Sequence, residues 1–343
     1  MLTYAIAQAS QGTHLSREHV GRVFDEIFAG RATAAQIGAL LIALRMKGET
    51  VDEVTGAAFA LRQRARPLRR PASKVVLDTC GTGGDGLGTF NISTAVALVA
   101  AAAGVTVAKH GNGGVSSRCG SADVLQAAGV RLDASVARVE QCLDDLGIAF
   151  LMAPMFHPVM REVATVRREL GVRSIFNILG PLANPAGANC QLVGVYARSL
   201  VPTVAGALCA LGTERSLVVH GEDGLDEISP CGPTTAARVE NGTVTMMTLT
   251  PEDADVDRLS LAELQGEGPL ENARVLQAVL AGANGPVREA VVLNSAAALW
   301  IAGACEGLRE GAAKARRVLD SGEAARKLAA LAELTARPEG EGS

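Results

Sequence analysis

The run Val75-Val76-Leu77-Asp78, followed at once by the loop from Cys80 to Thr94, constrains this chain more than any other segment. The four residues read as a short buried strand. Five glycines (Gly81, Gly83, Gly84, Gly86 and Gly88) then fall within eight residues, and an apolar helix follows over about 93–103. Strand, glycine loop and helix N-terminus together make a phosphate-binding geometry. Backbone N–H groups point into the loop, and the helix dipole adds positive potential. Gly81, Gly83 and Gly86 also match the spacing of a dinucleotide fingerprint, which expects an acid at the end of the next strand. Here the next strand, Val105-Thr106-Val107-Ala108, leads into Lys109-His110. The nucleoside-triphosphate loop fails as well, because Gly88 is followed by Thr89 and not by lysine. The segment therefore reads as a phosphate cradle of neither common kind.

Further short apolar runs follow at Ile148-Ala149-Phe150-Leu151, Leu192 to Val195 and Leu217-Val218-Val219, with helical stretches between them. Alternating strands and helices predict an α/β fold with a mainly parallel central sheet covered on both faces. Arg238 to Thr248, turning at Asn241-Gly242, reads as a hairpin. From about 258 onward the chain reads as helical. Residues 1–70 also read as all-helical. Ser16 caps one helix and Thr33 caps another, while Thr50 and Glu53 form the capping-box pattern of a third that ends before Pro67. Ile37, Leu40, Leu41 and Leu44 recur at helical spacing. Residues 67–74 read as a linker. The expected organisation is a small helical domain over 1–70 and a large α/β domain over 71–343.

Composition excludes several classes. A net charge of −4 argues against a general nucleic-acid binder. The one basic run, Arg62, Arg64, Arg66, Arg69 and Arg70, reads as a solvated helix end plus linker. Seven widely spaced cysteines with no CxxC fit a reducing compartment and neither a disulfide framework nor a zinc site. The opening MLTYAIAQAS carries no basic region before an apolar core, so no signal peptide is expected. The most apolar stretch, Ala95 to Ala108, is too short to span a bilayer and reads as a buried helix and strand. A cytoplasmic enzyme is the expectation.

Loops after parallel strands lie on one edge of the sheet. The segment Lys109-His110-Gly111-Asn112-Gly113-Gly114-Val115-Ser116-Ser117 is therefore expected to face the first glycine loop, with Lys109 supplying a cation and the two serines hydroxyls. His220 to Glu227 follows another strand. On a loop, the adjacent carboxylates Asp226 and Glu227 can both reach a hydrated magnesium ion, which takes carboxylates together with phosphate oxygens. Arg167 and Arg168 sit on a helix expected after His157-Pro158. Either could grip a carboxylate, although two arginines on a helix are usually solvated. No nucleophile–base pair is evident.

Taken together, GTGGDGLGTFNIST (81–94), KHGN (109–112), SSRCGSADVL (116–125), MAPMFHPVM (152–160), VRRELGVRSIFNILGPLANP (166–185) and HGEDGLDEIS (220–229) resemble the anthranilate phosphoribosyltransferases. The resemblance covers nearly the whole chain. It implies the nucleoside phosphorylase/phosphoribosyltransferase type of fold, and a homodimer formed through the helical part together with helices from about 157–180. It implies transfer of phosphoribosyl from phosphoribosyl diphosphate to the amine of anthranilate in tryptophan biosynthesis, with magnesium, two ions per subunit. By position, it implies that Gly81, Gly84, Asp85, Thr89, Asn91, Ser93, Thr94, Lys109, Ser117 and Ser121 hold the phosphoribosyl diphosphate. Gly81, Asn112 and Arg167 would contact anthranilate, and Ser93, Asp226 and Glu227 would hold the metal. After KHGN the family usually has arginine, where this chain has Gly113, which removes a cation. A paralogue with another aromatic amine as acceptor and a pyrimidine-nucleoside phosphorylase, which resembles this family in fold and phosphate loop, are the enzyme alternatives. A paralogue turned binding protein is the non-enzymatic one.

Overall fold

A computed structural model describes residues 1–69, 71, 73–114 and 119–338. Four helices come first: α1 (Leu2–Ser10), α2 (Arg17–Phe28), α3 (Ala34–Lys47) and α4 (Val51–Gln63). Their starts are set locally. The Ser16 hydroxyl accepts from the His19 N–H, and Thr33 with Gln36 and Thr50 with Glu53 close reciprocal capping boxes. Glu53 does more than cap. Fully buried, it also accepts from the Leu15 N–H at 2.8 Å and from Lys47 at 2.6 Å, which ties three helices together.

The α/β part follows with β1 (Val76–Asp78), α5 (Ile92–Ala102), β2 (Thr106–Gly111), α6 (Ser121–Ala127), α7 (Val136–Leu146) and β3 (Ile148–Met152). After the single turn α8 (Ala153–Phe156) come α9 (Arg161–Leu170), α10 (Phe176–Leu182), β4 (Cys190–Gly194), α11 (Leu200–Ala210) and β5 (Arg215–Gly221). The hairpin β6 (Thr234–Glu240) and β7 (Thr243–Leu249) precedes α12 (Pro269–Leu280), α13 (Pro286–Ile301), α14 (Leu308–Asp320) and α15 (Glu323–Ala336). Asn241 and Gly242 both take positive φ, 51° and 72°, as a two-residue hairpin turn requires.

One seven-stranded sheet has the order β3-β2-β1-β4-β5-β6-β7, parallel from β3 to β5 and antiparallel beyond. The chain steps outward from β1 to β2 and β3, then returns to place β4 on the other side of β1. Strand residues alternate between two cores. Leu217 and Val219 lie in the core with α13, whereas Val218 lies in the core with α11. The second core also takes in α2, α3, α4, α9 and α10, so the N-terminal helices share apolar packing with the far face of β4, β5 and β6. Arg62, expected in solvent, is instead half-buried. Its Nε donates to the Leu182 carbonyl at 2.5 Å, and burial pushes its pKa down to about 10.

Candidate active site

Because β1 and β4 are neighbours whose following helices cover opposite faces, their loops diverge at the carboxyl edge and leave a crevice. Gly81 to Asn91 lines one side of it. At its root the backbones nearly touch. The Thr82 N–H donates to the Gly194 carbonyl at 2.8 Å, and the Tyr196 N–H donates to Thr82 Oγ1 at 3.1 Å. A Cβ on Gly81 would lie 3.2 Å from the Gly194 oxygen and 3.3 Å from Asp226 Oδ2. A Cβ on Gly194 would fall 1.4 Å from the Asp226 carbonyl oxygen. Glycine is thus required at 194 by close approach, and this brings the Asp226 loop against the glycine loop.

Strand β2 runs three residues further than its apolar run suggested. Lys109, His110 and Gly111 are not loop residues. They pair with Phe150, Leu151 and Met152 of β3. This rigid placement buries Lys109 and sends its Nζ to the Thr79 carbonyl (3.0 Å), Thr79 Oγ1 (3.3 Å) and Ser93 Oγ (3.4 Å). Beneath it, Asp78 accepts from the His110 N–H at 3.1 Å and from Asn184 Nδ2 at 2.7 Å. Burial, offset in part by Lys109, pushes the Asp78 carboxyl up to about 6. Asp78, Cys80 and His110 bring potential ligand atoms within 4.8 Å of one another, but both Asp78 oxygens are already bonded, so this trio forms the floor of the crevice.

Opposite Lys109, the first turn of α5 meets Glu227, whose Oε1 accepts from the Ser93 N–H at 3.1 Å. Asp226 stands beside it, with Asp85 close by. Burial first, then Asp85, pushes the Asp226 carboxyl up. Burial first, then Asp226, pushes up that of Glu227. Asp85 Oδ1 accepts from the Leu87 N–H at 3.1 Å, while Oδ2 is buried without a partner, as is Thr94 Oγ1.

The remaining predicted residues are spread along the same edge. Thr89 bridges to Gln265. Asn91 ties loops together: its Nδ2 donates to the Cys119 carbonyl at 3.1 Å and its Oδ1 accepts from Asn272 at 3.0 Å. Ser121 opens α6, and its hydroxyl reaches the Asn112 carbonyl at 3.4 Å. Asn112 Oδ1 accepts from the Gly113 N–H at 2.9 Å. Arg167 ends α9, half-buried, with its guanidinium 5.5 Å from the Phe176 ring centroid, and burial pushes its pKa down. Ser117 lies outside the described residues. His157, expected at a helix start, does precede a short 3₁₀ turn. It is also buried, with its ring 5.2 Å from that of His110. Sequence reasoning missed Asp78, Thr79, Asn184, Gly194 and Arg173, whose partners are remote in the chain.

Family models match both parts of the chain: the helical bundle domain of a glycosyl transferase family over residues 3–65, and the a/b domain of that family over residues 73–325. The anthranilate phosphoribosyltransferase of Moorella thermoacetica is 52% identical over 331 residues, covering 96% of this chain and 97% of that one. The enzyme of that name from Anaeromyxobacter dehalogenans is 54% identical over 338 residues, covering 98% and 100%. Among solved structures, anthranilate phosphoribosyltransferase from Thermus thermophilus superposes with a TM-score of 0.92 at 45% identity, over 97% of this chain and 99% of that one. The Saccharomyces cerevisiae enzyme, in complex with PRPP and Mg, gives 0.89 at 28% identity, over 98% of both. The chain belongs to the anthranilate phosphoribosyltransferase family.

Proposed function

We propose that this chain transfers the phosphoribosyl group of 5-phosphoribosyl 1-diphosphate to the amine of anthranilate, giving N-(5-phosphoribosyl)anthranilate and diphosphate in tryptophan biosynthesis. One observation carries the reading. A buried ammonium (Lys109), the carboxylates of Asp85, Asp226 and Glu227, and a glycine loop at a helix N-terminus all gather where the strand order turns about β1. In this reading Gly81, Gly84, Asp85, Thr89, Asn91, Ser93, Thr94, Lys109 and Ser121, joined by Ser117, hold the donor. Gly81, Asn112 and Arg167 contact anthranilate. A carboxylate on the acceptor would compensate the guanidinium of Arg167 for its burial.

The residues present fit magnesium. Asp85 Oδ2 is buried and unpartnered, and Asp226 and Glu227 are pushed upward by burial first, then by Asp85 and Asp226 respectively. Ser93, Asp226 and Glu227 would hold the metal, two ions per subunit, in the all-oxygen surroundings that suit it. When bound, magnesium supplies positive charge next to the departing diphosphate. The chain's own part is positioning. An aromatic amine is unprotonated near neutrality, so it attacks with little general-base help, and the proton that its nitrogen sheds on bond formation passes to solvent. Loop N–H groups and Lys109 face the charge that builds on the leaving group, while Arg167 and Asn112 hold the amine in line with the ribose carbon. A division into residues 1–70 and 71–343, a homodimer through the helical part and the helices near 157–180, and a cytoplasmic site of action complete the proposal. Among the described residues no helix is long and apolar enough to cross a membrane.

The test is loss of anthranilate fluorescence in the presence of the purified protein. Loss that needs both the sugar diphosphate and magnesium supports the reading. No loss from folded protein that still binds the sugar diphosphate would move the assignment to another aromatic amine. Phosphate-dependent cleavage of a pyrimidine nucleoside would overturn it.

A further inference from the structure

We propose that Arg173 is a positioning residue that holds the Gly84–Asp85 peptide with its N–H turned into the crevice. The proposal rests on the transferase reading and adds to it a residue that neither touches the reacting atoms nor belongs to the metal set. Arg173 lies on the exposed segment between α9 and α10. Its Nη2 nonetheless donates to the Gly84 carbonyl of the phosphate loop. Its guanidinium stacks over Tyr196, 4.2 Å from the ring centroid. Its own carbonyl accepts from Nη1 of Arg45, in the last turn of α3. An exposed arginine would ordinarily sample many rotamers, since ordering it costs entropy. Here two contacts hold the side chain, on the loop and on the segment after β4, and the bond from Arg45 ties its main chain to the helical part.

The consequence follows from peptide geometry. In a trans peptide the C=O and N–H point in opposite directions. Drawing the Gly84 oxygen outward to Arg173 aims the Asp85 N–H inward, and among the described residues that N–H has no acceptor. Gly84 takes positive φ, 81°, and carries no side chain, so on its side nothing resists rotation of the peptide that joins it to Asp85. Turned over, that peptide would present an oxygen where an anionic diphosphate needs a donor. Tyr196 keeps the guanidinium in place and is itself tethered to the loop, through its N–H to Thr82 Oγ1. The bond from Arg45 makes the same clamp sensitive to how the helical part sits over the crevice.

The experiment compares the full-length protein with Arg173→Lys and Arg173→Ala, varying the sugar diphosphate and anthranilate separately. Lysine keeps a charged donor but loses the planar stacking surface. The expected result is a donor KM that rises about tenfold in the alanine variant and less in the lysine variant, with anthranilate KM nearly unchanged. Free guanidinium ion at millimolar concentration should recover part of the donor affinity of Arg173→Ala. A flat donor KM across the three proteins, an equal rise in both KM values, or the absence of rescue would overturn the proposal. Should Arg173→Ala fail to fold, the lysine comparison decides alone. If the unsubstituted protein consumes no anthranilate, it is the transferase reading that falls. Equilibrium binding of the sugar diphosphate to the same three proteins, graded or flat, then judges Arg173 independently.

Discussion

Asp226 and Glu227 are adjacent in sequence and crowd one pocket, and their titration follows from that. Both carboxyls are pushed up, by burial first, so near neutrality part of the population holds a proton that a cation must displace. Magnesium should therefore bind more tightly as pH rises. The stabilisation given by a fixed magnesium concentration, read as a thermal shift, should be larger at pH 8 than at pH 6. Replacing both residues with alanine should abolish that shift and raise the magnesium requirement for turnover. An unchanged shift in the double variant would refute the metal assignment. At this scale the sequence is informative where chemistry is local. The glycine cluster, Lys109 and the acidic pair can be read directly because each is adjacent in the chain to the strand that positions it. Asp78 and Arg173 cannot be found that way. Asn184 bonds Asp78 from 106 residues away, and Arg173 reaches Gly84 across 89 residues.

Elements meet most tightly where β4 passes the Asp226 loop. Gly194→Ala would place its Cβ 1.4 Å from a backbone oxygen, and backbone cannot yield as a side chain can. The loop must move, and Asp226 and Glu227 with it. Turnover should collapse while the fold persists. Gly206 in α11 offers a control of similar size, since its added Cβ would meet the Val51 side chain at 2.8 Å. Gly206→Ala should cost about 1–3 kcal/mol of stability, read by urea unfolding, with the Asp226 loop undisturbed. Retained activity in Gly194→Ala would show that the close approach is not needed. Helix starts were the most legible elements, because a capping box is complete within four residues. Strand ends were less so. The run of β2 looked finished at Ala108, yet the ladder to β3 carries pairing through Gly111, since hydrogen bonding to a neighbour and not apolarity decides where a strand stops.

For the whole molecule, buried imidazoles and buried carboxyls pull stability in opposite directions as pH falls. Burial pushes His110 down to about 3 and His157 down to about 4 from an ordinary 6.5. Below pH 6.5 the unfolded chain takes up protons that these two rings refuse when folded. Their contribution is full above 6.5 and is lost as pH falls toward 4, by about 1.4 kcal/mol per pH unit for each ring. Asp78, Asp226 and Glu227 oppose this, because carboxyls raised by burial favour the folded state as pH falls. Three raised carboxyls thus act against two lowered imidazoles, so the imidazole part has to be isolated by substitution. Urea unfolding at pH 7.5 and 5.5 should show His157→Gln losing less stability, or gaining more, on acidification than the unsubstituted protein. The same pH difference in both proteins would refute the contribution of His157. Exposed apolar side chains occur on both parts: Tyr4, Met46 and Phe59 on the helical one, Val244, Met246 and Leu270 on the other; the first three are those that the proposed dimer would cover. Sedimentation should report about twice 35.2 kDa, and Met46→Asp should weaken the association. Periodicity exposed the apolar faces of these helices but could not say what covers them, since a stripe of leucines does not name its partner.

The shared second core has one more consequence, for how such a chain could be recombined. The linker at 67–74 looks like a natural joint between two exchangeable modules. The apolar interior ignores it, because α2, α3 and α4 pack with α9, α10, α11 and the far face of β4, β5 and β6. A hybrid spliced at the linker would set one parent's helices against another parent's α9 to α11, two surfaces with no history of fitting each other. A workable crossover would have to move residues 1–63 and 161–210 as a single inheritance, although nearly a hundred residues of sheet and helix separate them along the chain.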